Sequence, residues 1–178
     1  MDGLLLTHIT TRGELDRWEM DNINQAYQWV DRLKHTHILN EDFICHLHKK
    51  MFGNVWKWAG QFRRSEKNIG VPWVQITVEL KYLCDDAQAW LEFNTYPPDE
   101  FAARFHHRLV YIHPFANGNG RHARLMADLI LEKLFKKSSF TWGNAILTKQ
   151  SEIRSAYINA LKSADNHDYS LLLEFVRS

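Results

Sequence analysis

What this sequence lacks narrows it first. Its 178 residues hold two cysteines, Cys45 and Cys84, each set among apolar neighbours, too few for the disulfide framework of a secreted scaffold. That setting predicts two free, buried thiols in a reducing cytosol, hence a cytoplasmic protein. There is no signal peptide and no apolar run of membrane-spanning length, so no membrane partner is expected. An excess of one charge is missing too: 22 basic against 21 acidic residues leave a formal net charge of +1, with both signs spread along the chain. Such balance gives no electrostatic footprint for nucleic acid, and any partner must be recognised locally. Repeats, low-complexity tracts and linkers are absent. A chain of this size with 45% hydrophobic residues can bury a core of its own, and a single domain over 1–178 is expected.

Helical periodicity fills most of that length. Over about 11–34, Leu15, Trp18, Ile23, Ala26, Trp29, Val30 and Leu33 recur at three- and four-residue intervals, which predicts an amphipathic helix. Thr11 and Glu14 form a capping box at its start. Asn40 is placed to cap a second helix carrying Phe43, Ile44, Leu47 and Met51 and ending near Gly53, with a short helical turn after it over 55–59. Thr77 is expected to cap a third helix bearing Leu80, Leu83, Cys84, Ala87 and Trp90. Pro97-Pro98 ends it and starts a fourth, with Phe101, Phe105, Leu109 and Ile112 inward. A strongly apolar helix over about 119–135 is the expected centre, and helices near 151–161 and 169–176 complete a mostly α bundle. Over 60–76 the period breaks around Gly70 and Pro72, which predicts a short hairpin or ordered loop.

The chemistry concentrates between the fourth and fifth predicted helices, in His113-Pro-Phe-Ala-Asn-Gly-Asn-Gly-Arg-His-Ala-Arg124. Gly118 and Gly120 are free to take positive φ and let successive backbone N–H groups converge just before a helix begins, an anion nest. The positive end of that helix adds to it. Arg121 and Arg124, three apart in the first turn, bring two planar guanidinium forks that each grip two phosphate oxygens. A polyphosphate suits this arrangement. His113, closing the preceding helix, is the candidate general base beside the phosphates. Elsewhere, His35 and His37, His46 and His48, and the pair His106-His107 lack the i,i+4 spacing of a zinc-binding helix, so no zinc site is expected. His122 is expected to face outward.

These residues carry a family resemblance. The segment from His113 to Arg124 resembles the Fic signature, His-x-Phe-x-acid-Gly-Asn-Gly-Arg-x-x-Arg, departing from it at Asn117 alone. Trp58-Ala59-Gly60-Gln61-Phe62-Arg63, Asn68-Ile69-Gly70 and Gln75-Ile76 resemble the stretch that forms the Fic flap, and the helix starting at Thr11, with Leu15 and Glu19, resembles the family's opening helix. Within the family the chain is most similar to the small proteins called mobile mystery protein B, a name that assigns no biochemical role. The resemblance implies a mostly α, Fic-type helical bundle with one short β-hairpin, the flap, next to the active-site loop.

It also implies a protein adenylyltransferase, which moves AMP from ATP to a Ser, Thr or Tyr hydroxyl of a target protein and releases pyrophosphate. His113 would deprotonate that hydroxyl, while Gly118, Asn119 and Gly120 would hold the phosphates. Arg121 and Arg124 would engage the β- and γ-phosphates, and Phe115 would pin the loop. Ile69, Gly70, Val71, Pro72, Trp73 and Val74 would dock an extended stretch of the target by β-augmentation. Gly120 stands where the phosphoryl-transferring, Doc-related branch has lysine, which favours nucleotidyl transfer. Asn117 stands where the family's acid holds Mg²⁺; an amide oxygen is a weaker ligand for a hard cation, so weakened Mg²⁺ use is expected. The family's inhibitory motif, Ser/Thr-x-x-x-Glu-Gly/Asn, is matched in part at Thr10 to Glu14 and at Thr148 to Glu152. Neither is followed by Gly or Asn, and both read as helix-start residues. Control by a separate inhibitor protein stays open. Two other functional readings stay open beside the transferase: a nucleotide-binding regulatory module whose catalysis is lost through Asn117, and transfer of another nucleotide-linked group such as UMP.

Overall fold

A computed structural model describes residues 3–34, 37–144 and 150–178. Helix α1 (Arg12–Asp31) opens on the expected capping box, with Glu14 N–H donating to Thr11 Oγ1 at 3.3 Å and Glu14 Oε2 accepting Thr11 N–H at 3.1 Å. Its apolar stripe of Leu15, Ile23, Ala26 and Val30 lies against α2 (Glu41–Phe52), whose cap is Asn40, Oδ1 accepting Phe43 N–H at 2.8 Å. These caps satisfy first-turn donors that the helices themselves leave open. Helix α3 (Ile76–Glu92) packs on α4 (Pro98–Ile112), and α4 in turn lies against α5 (Asn119–Leu129). Helix α5 also touches α2, while α6 (Gln150–Asp165) and α7 (Ser170–Arg177) pair with each other and α7 returns to α4.

Phe52, Phe101, Phe105, Phe115, Leu80 and Leu109 are fully buried where these helices meet. Each such side chain contributes about 1.5–3 kcal/mol of apolar burial. Helix α5 is buried around nearly its whole girth, at Asn119, His122, Ala123, Leu125, Met126, Ala127 and Leu129. The expected helix over 119–135 is therefore central, but it changes geometry at Ile130–Leu134, a π-helical turn. Among the described residues no helix is long and apolar enough to cross a membrane. Cys84 is buried and Cys45 partly so, and both are free.

Three local expectations are corrected. The stretch 55–59 forms turns rather than helix, anchored by an antiparallel bridge of Trp56 with Leu4. Thr77 lies inside α3; the helix starts at Ile76, directly after a 3₁₀ turn Trp73–Gln75, and has no side-chain cap. The flap is an ordered loop, without a two-stranded ladder among the described residues. The backbone N–H groups of its two arms bond to the 112–115 segment instead of to each other. Arg63 N–H donates to the Pro114 carbonyl at 2.9 Å, Phe62 bridges Phe115, and Val71 N–H points at the Ile112 carbonyl at 3.4 Å. Pro72 has no N–H to offer a ladder, and the Arg63 guanidinium takes up loop carbonyls that a partner strand would otherwise bind.

Candidate active site

His113 stops α4 in the left-handed region, at φ 54° and ψ 57°, with its N–H on the Leu109 carbonyl at 3.2 Å. The flap presses directly on it. Gly70 sits at φ +95°, and a Cβ there would come within 2.6 Å of the His113 Cβ, so only glycine permits this approach. Arg63, 4% exposed, ties the two segments together, its Nε donating to the His113 carbonyl at 2.8 Å, its Nη1 to Ser65 at 2.9 Å and its Nη2 to the Val71 carbonyl. The His113 imidazole is partly buried, and its pKa lies below the ordinary value. Burial is the main cause and the Arg63 charge the next, with the Val110 carbonyl working the other way. It is therefore neutral at pH 7 and able to accept a proton.

The loop after His113 is held from below. Phe115 is fully buried and stacks on His48 at 3.8 Å between ring centroids. His48 Nδ1 accepts Gly60 N–H at 3.0 Å, which leaves Nε2 protonated to donate to the Asn117 carbonyl, also at 3.0 Å. Burial pushes the His48 pKa down to about 4, in keeping with this neutral tautomer. Asn119 closes the turn from the other side. Its Oδ1 accepts Phe115 N–H at 2.9 Å and its Nδ2 donates to the Phe115 carbonyl at 2.9 Å. Its amide thus shapes the loop rather than facing a ligand.

Gly118 is at φ +77°, and a Cβ there would meet the Phe52 ring at 2.6 Å. Gly120 is helical, against the expectation of positive φ at both glycines, and a Cβ there would meet open space. The N–H groups of Asn119, Gly120 and Arg121 precede the first intrahelical bond of α5, from His122 N–H to the Gly118 carbonyl at 3.0 Å. Beside this helix start opens a cavity of about 470 Å³ lined by Gly120, Arg121, Arg124, Arg154 and Tyr157 among others, none of them acidic. The Arg124 guanidinium lies 4.5 Å from the Tyr157 ring centroid and 5.3 Å from that of Trp142. Arg121 is bonded to Glu19 at 2.8 Å. Three guanidiniums and a helix N-terminus on one concave surface suit a polyphosphate.

The model of the Fic/DOC family matches residues 38–131, over half of the chain. The chain belongs to the Fic/DOC family. It is 31% identical to the protein adenylyltransferase Fic of Drosophila mojavensis over 75% of this chain, though over only 26% of that protein, so it spans about a quarter of the relative's length. Among solved structures, it is similar to Fic-1 (residues 134–508) of C. elegans, with TM-score 0.73 and 24% identity over 97% of this chain and 52% of the other. The BepC effector of Bartonella tribocorum, solved with bound AMPPNP, gives TM-score 0.73 and 18% identity over 95% and 87% of the two chains.

In this Fic chain Asn117 Oδ1 accepts the N–H of Gly118 at 2.8 Å, so the amide is turned onto its own loop. Among the described residues no three His, Cys, Asp or Glu side chains converge as a metal site. The donor set at the Fic loop does not fit a tightly held Mg²⁺, which prefers carboxylate oxygen. His122 is buried rather than outward, its Nε2 bonded to the Ile44 carbonyl at 2.9 Å. His106 and His107 are also buried and bond to Tyr157 Oη at 2.9 Å and to Asp165 Oδ1 at 2.8 Å. Glu14 bonds Thr10 and Thr11 at the start of α1, each at 3.1 Å, while Thr148, like His35, lies outside the described residues. On the flap, Ile69, Trp73 and Val74 are exposed and Val71 is buried. Sequence reasoning missed Arg154, which nothing in its own α6 pattern marks out, and the supporting parts played by His48 and Arg63.

Proposed function

We propose that this chain is a cytoplasmic, single-domain protein adenylyltransferase that moves AMP from ATP to a Ser, Thr or Tyr hydroxyl of a target protein. The observation that carries it is the cavity at the start of α5, with no acid among its described lining residues, where Arg121 and Arg124 flank Gly120 and the first-turn N–H groups that precede the helix's own bonds. The adenylyltransferase activity for which the Drosophila relative is named and the AMPPNP bound by the BepC effector support ATP as the donor. The neutral His113 takes the proton of the target hydroxyl as its oxygen attacks the α-phosphorus. The bond from that phosphorus to the bridging oxygen breaks, and pyrophosphate leaves against Arg121 and Arg124, whose charges offset the charge it gains. His113 then returns its proton to solvent. The exposed Ile69, Trp73 and Val74 offer an apolar edge along which an extended target segment lies, and the Gly70 contact with His113 brings that edge to the base. Because Asn117 supplies no carboxylate, Mg²⁺ is held weakly and a higher concentration of it is needed for transfer.

Incubation with α-labelled ATP and a cell lysate tests this. Label transfer to a protein is expected, and His113→Ala should lower its rate about 10²–10⁴-fold, the usual contribution of a general base. No transfer by the wild type across a range of Mg²⁺ and Mn²⁺ concentrations would sink the proposal.

A further inference from the structure

Helix α1 lies outside the residues matched by the family model, yet one of its side chains reaches the signature loop. The Glu19 side chain is 7% exposed and divides its two oxygens between two donors. Oε1 accepts Trp56 Nε1–H at 2.6 Å, and Oε2 takes Arg121 Nη1 at 2.8 Å. Trp56 is itself fixed: it is buried, stacked on Trp58 at 5.0 Å, and bridged through its backbone to Leu4. With one oxygen locked by an immobile indole, the carboxylate cannot turn away from the arginine. The Phe52 ring lies 4.9 Å from the same guanidinium.

Arginine in the open samples many rotamers, and ordering its planar fork on a ligand is what weakens an untethered phosphate contact. Here one nitrogen is already held while the side chain remains 44% exposed and borders the cavity that Arg124 and Arg154 also line. Glu19 itself is not among the cavity's lining residues, so its carboxylate does not stand where a phosphate would. We propose that Glu19 is a positioning residue, locked by Trp56, that fixes the Arg121 guanidinium with its remaining N–H groups presented to the β- and γ-phosphates of the nucleotide. This rests on the phosphate role given to Arg121 above.

Calorimetric titration of ATP and of AMP into the wild type, Glu19→Gln and Trp56→Phe separates positioning from plain structural support. Glu19→Gln keeps the shape and the bond from Trp56 but removes the charge that holds Arg121. The ATP Kd is expected to rise about tenfold, as for a lost charge-assisted contact, while the AMP Kd, which lacks those phosphates, stays within about twofold. Trp56→Phe should move ATP binding in the same direction by less. The inference is overturned if ATP and AMP weaken together, if neither changes, or if ATP binds more tightly, since the last would make Glu19 a restraint on Arg121. If the wild type binds ATP no better than AMP, the phosphate role of Arg121 fails first and the inference falls with it.

Discussion

Arg63 offers the most direct physical test of how the flap and the base are held together. The residue is 4% exposed, and its guanidinium supplies three carbonyls, those of His113, Ser65 and Val71, from residues on both sides of the site. The ion pair with the exposed Glu66 at 3.9 Å is too long and too wet to matter. Hydrogen bonds from a charged group contribute about 1.5–3 kcal/mol each, but they share one side chain and are not additive. Arg63→Ala strands all three acceptors and is expected to cost about 3–5 kcal/mol. Arg63→Lys keeps the charge, but a single ammonium cannot span the fork, so one or two bonds are lost, for about 1–3 kcal/mol. In a chain of this size that is a fall in Tm of roughly 3–10 °C. Urea unfolding followed by tryptophan fluorescence gives both values, and transfer assayed well below the melting range should fall further than stability does, because His113 loses its tether. If Arg63→Lys unfolds within about 0.5 kcal/mol of the wild type, below the effect of even one such bond, the fork is not what holds the flap to the base.

Three further outcomes are expected. Gly118→Ala must place a Cβ at φ +77° and 2.6 Å from the Phe52 ring, costing about 2–4 kcal/mol from strain and overpacking together; an unchanged urea midpoint refutes the packing described. His48 and His106 are buried, with pKa values pushed down to about 4 and about 3, so the unfolded chain binds their protons more readily. Stability is then complete above pH 6.5 and lost as pH falls through 6 to 4, by about 1.4 kcal/mol per pH unit for each histidine; urea midpoints that do not move between pH 7 and 5 contradict it. Asn117→Asp gives the loop a hard carboxylate oxygen, and the Mg²⁺ concentration for half-maximal transfer should drop by about tenfold; an unaltered Mg²⁺ response means the metal is not governed by this position.

What the sequence made legible is what depends on near neighbours. The capping box of Thr11 and Glu14 and the Asn40 cap act within one helical turn, and both formed as expected. The loop that carries Gly118 and the two signature arginines to the start of a helix was readable for the same reason, since they lie within seven residues. Over 60–76 the residues left hairpin and ordered loop both open, and the hairpin that the resemblance implied did not form, because the bonding partners are remote in sequence: Arg63 reaches His113 across 50 positions, and no local pattern distinguishes a loop so held from a hairpin. His122 was misplaced because outward faces are inferred from amphipathicity, and α5 is buried on nearly all sides. Asn119 keeps its backbone N–H in the first turn of α5, but the use of its side-chain amide to bind Phe115 was not legible. Glu19 carried no local signal for its task either, which only the approach of α1 to Arg121 creates.

The left-handed backbone of His113, at φ 54°, has an evolutionary side. Helices that stop in this region commonly do so on glycine, which bears no side-chain penalty there. Drift toward a sturdier fold would thus favour the loss of the imidazole at this position, by about 1 kcal/mol. With the role proposed for His113, a histidine standing where the helix would be better served by having no side chain sets stability against activity, and a laboratory search for thermostable variants would then find inactive ones.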